Sequence, residues 1–114
     1  REARAESQRS HGSRPGCEAM AARVGLLTIS LCVTDAMTLK DKRQVVRSVL
    51  DRAIDRFNVA AAEVGKLDSV RRAELAFACV SNDFQHVTQM LESVLAFVEG
   101  EPRAVVEDSS LELL

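Results

Sequence analysis

The chain has 114 residues, 46% apolar and 28% charged, with a formal charge of −2, which suits one domain around one core. No apolar run approaches the roughly 20 residues that span a bilayer, and no block of like charge marks a nucleic-acid tail. Cys17, Cys32 and Cys79 lack the spacing of a disulfide framework or a zinc site, no cofactor motif occurs, and without a secretory signal the expected location is the cytoplasm.

Residues 1–19 show no hydrophobic periodicity and are expected to form a disordered extension or leader. Their Arg and Ser suit a transit peptide, whereas Glu2, Glu6 and Glu18 count against one. A single domain is expected over 20–114, where eleven basic side chains stand against fourteen acidic ones.

Val24 to Val33 alternates a strongly apolar face (Leu27, Ile29, Leu31, Val33) with a milder one, as a strand does. Thr38 and Asp41 form a capping box, and a helix is expected from Leu39 to Arg56. Val46, Val49, Leu50, Ala53, Ile54 and Phe57 recur on its buried stripe. Phe57 to Val64 reads as a strand despite three alanines, Lys66 to Arg72 as a hairpin loop, and Glu74 to Ser81 as a third strand. Ser81-Asn82-Asp83 starts a second helix that carries Phe84, Val87, Leu91, Val94, Leu95 and Val98 inward. Gly100 and Pro102 end it, and Ala104 to Leu114 closes the domain as a strand.

The order is β-α-β-β-α-β, the split βαβ motif of an α+β, ferredoxin-like fold with a four-stranded antiparallel sheet. Right-handed crossovers place both helices on one sheet face and leave the other open.

Thr38-Leu39-Lys40-Asp41-Lys42-Arg43, followed by Val45-Val46-Arg47-Ser48, resembles the SLKEKR-x-VVRS segment of the YlxP-like family. Arg56 to Gly65 is similar to that family's RFNV-x-VAEVG stretch, and Val80-Ser81-Asn82-Asp83 to its VSND helix start. The resemblance spans Val24 to Leu114. It departs at Val70, where the family often has an aromatic, and at Ala61, where it has a larger residue. It implies a small bacterial protein of ferredoxin-like fold with no established activity. Family members are often encoded beside translation-initiation and ribosome-maturation genes, which implies a ribosomal or RNA connection by association.

The first helix carries six basic residues (Lys40, Lys42, Arg43, Arg47, Arg52, Arg56) against Asp41, Asp51 and Asp55. Lys40, Arg43 and Arg47 share a face and form a ridge able to meet phosphates. Lys42, Arg71 and Arg72 are candidate additions to it. The alternative is an ordinary solvated helix face with pairs such as Arg47 with Asp51. The chain has no Trp or Tyr, and the sheet offers at most Phe77 for stacking, so RNA contact should follow shape and charge. Glu63 is expected to face the open side of the sheet, either as a site or as a partner for a nearby cation. Paired with His86 it would make an acid–base couple, but no spacing brings the two together, and no catalytic or metal-ligating set is assigned. The expected function is a non-enzymatic binding module for RNA or a ribosomal particle. The alternative is a homo-oligomeric structural or regulatory module, assembled through the small-residue open face or the edge of the last strand.

Overall fold

The computed structural model describes residues 22–114. The 1–19 extension, Cys17 and the expected start at Met20 lie outside the described residues. In chain order come β1 (Arg23–Cys32), α1 (Leu39–Arg56), β2 (Ala60–Gly65), β3 (Arg72–Ser81), α2 (Phe84–Glu99) and β4 (Val105–Leu113). The strands make one antiparallel sheet ordered β2-β3-β1-β4. This is the expected ferredoxin-like α+β arrangement.

Alternation along each strand decides which side chains the helices cover. β1 sends Leu27, Ile29 and Leu31 inward and β3 sends Ala73, Leu75, Phe77 and Cys79. Val46, Val49 and Ala53 of α1, and Val87, Leu91, Val94 and Val98 of α2, close over them. Each large apolar side chain so buried contributes about 2 kcal/mol by leaving water. Burial also pushes the Cys79 thiol pKa up.

Gly25 lies on the inward face of β1, where α2 passes close. A Cβ there would meet Val87 Cγ1 at 2.5 Å and Leu91 Cδ1 at 2.9 Å. Gly25→Ala should therefore overpack the core, costing about 1–3 kcal/mol and lowering Tm in a thermal melt by about 5–15 °C. Gly65→Ala should be mild by comparison. Its new methyl would meet the Glu74 side chain, whose carboxylate end can swing aside while its Cβ, at 3.2 Å, stays in tight contact.

One boundary and one buried position differ from expectation. Phe57 takes an extended conformation as the C-cap of α1, its N–H bonded to Ala53 O, and β2 begins only at Ala60. A short turn, not strand, occupies 57–59. Phe84, expected inside, is 37% exposed and lies under the Arg23 guanidinium, 4.9 Å from its ring centre.

Candidate functional site

The start of α1 is set by local hydrogen bonds. Thr38 Oγ1 accepts the Asp41 N–H at 3.1 Å, and Asp41 Oδ2 accepts from Thr38 N at 3.1 Å and Met37 N at 3.0 Å. The Met37 N–H, first among these donors, holds the Asp41 carboxyl below its ordinary pKa. From this fixed start, the 3.6-residue period sends the six cations in three directions.

Lys40, Arg43 and Arg47 share the exposed side of α1, with Arg43 and Arg47 turned toward β2. With Gln44, Ser48 and Asp51 they line a shallow concavity of about 550 Å³. A second groove of about 400 Å³ runs from Arg43 and Arg47 down to Ala61 and Glu63 of β2, over Val46, Leu50 and Ile54. All three cations are exposed, and among the described residues no carboxylate stands within ion-pair distance of them. The pairing of Arg47 with Asp51 that a solvated helix face would offer is absent.

Arg52 and Arg56 point the other way, toward α2. Their guanidinium groups lie 5.4 and 5.7 Å from the centre of the Phe97 ring, and Phe57 meets Phe97 edge-on at 5.7 Å. These cations are engaged in aromatic packing between the helices.

Lys42 corrects an expectation. It is fully buried, at 0% exposure, and cannot meet a phosphate. Its Nζ donates to the carbonyls of Lys66 (2.9 Å), Leu67 (3.4 Å) and Arg72 (3.1 Å), tying α1 to the β2–β3 hairpin. Glu63 corrects another. Its register partner is Leu75, an inward residue of β3, so Glu63 faces the helices and not the open side. Glu63 Oε2 sits 3.0 Å from Lys42 Nζ yet receives no well-directed hydrogen bond. The ammonium protons point at the three carbonyls, and the carboxylate balances the charge from the remaining side.

The hairpin arginines divide. Arg71 donates Nε–H to Ala36 O at 2.9 Å and reaches Met37 Sδ at 3.9 Å, which leaves it exposed beside the start of α1. Arg72 instead lies on the open face, where it pairs with Glu107 at 3.3 Å. It therefore does not extend the ridge.

The open face has the opposite electrostatic sense. Ser30 lies between Glu74 and Asp108 by register, and Thr28 between Ala76 and Ser110. Glu74, Glu107 and Asp108 gather around Lys66 and Arg72 at a small hollow of about 180 Å³. Phe77 is wholly inside, so this face offers no aromatic for base stacking.

One ionic cluster was not anticipated. Glu101 follows α2 with its side chain 3% exposed; its Oε1 accepts from Arg52 Nη2, and its Oε2 from Arg103 Nε at 2.7 Å. Arg103 Nη2 also reaches Ser48 Oγ at 3.1 Å. Donation from Arg103 first, then Arg52, lowers the Glu101 pKa to about 2. Arg103 lies in the same loop, two residues from Glu101, but Arg52 and Ser48 come from α1, and nothing in the local Gly-Glu-Pro-Arg pattern announces them.

For other chemistry, the described residues hold no cluster of His, Cys, Asp or Glu able to bind a metal. His86 is exposed on α2 while Glu63 is committed to Lys42. No helix among the described residues is long and apolar enough to cross a membrane.

Comparison with known proteins agrees with the resemblance read from TLKDKR, RFNV and VSND. Residues 24–111 match a family model described as a protein of unknown function, DUF503. The uncharacterized protein YlxP of Bacillus subtilis (strain 168) is 33% identical over 79 residues, covering 69% of this chain and 86% of that protein.

Proposed function

The chain belongs to the DUF503 family of proteins of unknown function, and we propose that it works as a non-enzymatic binding module whose partner is RNA, alone or within a ribosomal particle. The observation that carries this reading is the ridge of Lys40, Arg43 and Arg47, three exposed cations of α1 with no carboxylate among the described residues within ion-pair distance. Exposed Arg71 stands near the start of the same helix and is a candidate fourth contact. Guanidinium and ammonium groups in such a row suit successive phosphates. The acidic open face repels the same backbone and limits docking to the helical side.

The test is binding to RNA and co-sedimentation with ribosomal subunits across a salt series. The affinity should fall steeply with salt, and replacing Lys40, Arg43 and Arg47 together with alanine should reduce the log–log slope by about 2 while leaving the thermal melt unchanged. An unchanged slope, or no binding by the parent at low salt, would overturn the reading. A second reading, a homo-oligomeric module, is favoured by a different surface, the free edge of β4.

A further inference from the structure

We infer that the outer edge of β4 is a pairing surface for a second copy of this chain, the two strands running antiparallel about a two-fold axis at Leu111. β4 pairs with β1 on one side only and has no neighbour on the other among the described residues. Edge strands are usually blunted by charged side chains, Pro, a bulge or a covering element; the charged residues of this segment, Asp108 and Glu112, hold their side chains on the open face and leave the helix side of the edge apolar. Here the only irregularity lies near the beginning, where the register against Ser30 and Leu31 skips Glu107. Residues 108–114 contain neither Pro nor Lys.

The backbone points the right way. Leu114 N–H bonds to Val24 O at 2.8 Å, so the alternate residues Leu113, Leu111 and Ser109 turn their N–H and C=O groups toward the free edge. Their side chains lie on the helix side, opposite Gly25, Leu27 and Ile29. Leu113 packs over Gly25 beside Val87 and Leu91, yet it remains 45% exposed and Leu111 37%. The hydrophobic core thus runs out to this edge uncovered.

Charge selects the register. Pairing must keep inward residues opposite inward ones. Symmetry about Ser110 would set Asp108 against Glu112 of the second copy, and symmetry about Glu112 would set that carboxylate against its own mate. Symmetry about Leu111 places leucine against leucine, Ser109 against Leu113, Ser110 against Glu112 and Asp108 against Leu114, with no two charged side chains opposed. The result is a continuous eight-stranded sheet with an apolar seam. Arg43 and Arg47 lie beside β2 at the far edge, so this surface and the ridge stand or fall independently.

Light scattering on the full chain should report a dimer at micromolar concentration, and Leu111→Asp should yield a monomer with an unchanged thermal melt at low concentration. Leu111→Cys should form a disulfide-linked dimer under mild oxidation well beyond the parent, because the paired Cα atoms would sit about 5.5 Å apart. Ser110→Cys, facing Glu112 of the second copy, should not. A monomeric parent overturns the inference. So does a dimer that survives Leu111→Asp, or equal cross-linking at 110 and 111.

Discussion

Lys42→Met should be among the most damaging single substitutions in this domain, lowering stability by about 3–5 kcal/mol. Methionine fills much of the space but carries no charge and no donor. Glu63, with its side chain only 16% exposed, would lose its counter-charge. The carbonyls of Lys66, Leu67 and Arg72 would lose their shared ammonium. Glu63→Gln should also be costly, about 3 kcal/mol, because the fully buried Lys42 ammonium loses its counter-charge, although the three carbonyls keep their donor. A Lys42→Met, Glu63→Gln double variant should recover only the part due to the orphaned carboxylate. Urea unfolding of the four proteins gives the cycle. A Lys42→Met midpoint close to the parent's would mean that water replaces the ammonium at no cost.

The second large effect concerns acid. Glu101 has a pKa near 2 in the folded protein against an ordinary 4.5. A lowered folded-state value stabilises the protein fully above the unfolded pKa, and that contribution is lost as pH falls from about 4.5 toward 2. Because Arg52 and Arg103 are about half exposed, screening reduces the contribution to about 2 kcal/mol. Glu101→Gln should therefore lose about that amount at neutral pH. The gap between variant and parent should narrow when unfolding is measured near pH 3 and below. A gap that stays constant with pH would show that the carboxylate's charge is not what holds α1 to the loop after α2.

The element order and the bounds of α1 were legible because both rest on local signals. Thr38 and Asp41 cap the helix through their own backbone, and the period of Val46, Val49 and Ala53 needs nothing beyond the helix itself. Lys42 reads as a surface cation by its charge, yet it lies four residues before Val46, on the inward stripe. That position was the available signal, and a lysine there asks for a buried acceptor. Glu63 was harder. In Ala60-Ala61-Ala62-Glu63 the alanines mark neither face, so its direction depends on the turn at 57–59 that delays the strand. The Glu101 cluster draws on Ser48, Arg52 and Arg103, a meeting that only the assembled fold creates. The ridge itself was readable from spacing, but not its isolation from Asp51, which is a matter of side-chain geometry.

The sheet order has a consequence for how the chain reaches its native state. β1 is an interior strand, and one of its two neighbours, β4, comes from the far end of the domain, with Gly25 against Leu113. During synthesis, β1 to α2 can assemble into a three-stranded sheet with both helices while one side of the central strand stays bare. Closing that side requires bringing together residues almost the whole domain apart, a step slowed by loop-closure entropy. Until residues 105–113 have emerged, the partly built protein presents Leu27, Ile29 and Leu31 along an open edge, and its exposure to misassembly is concentrated in that interval.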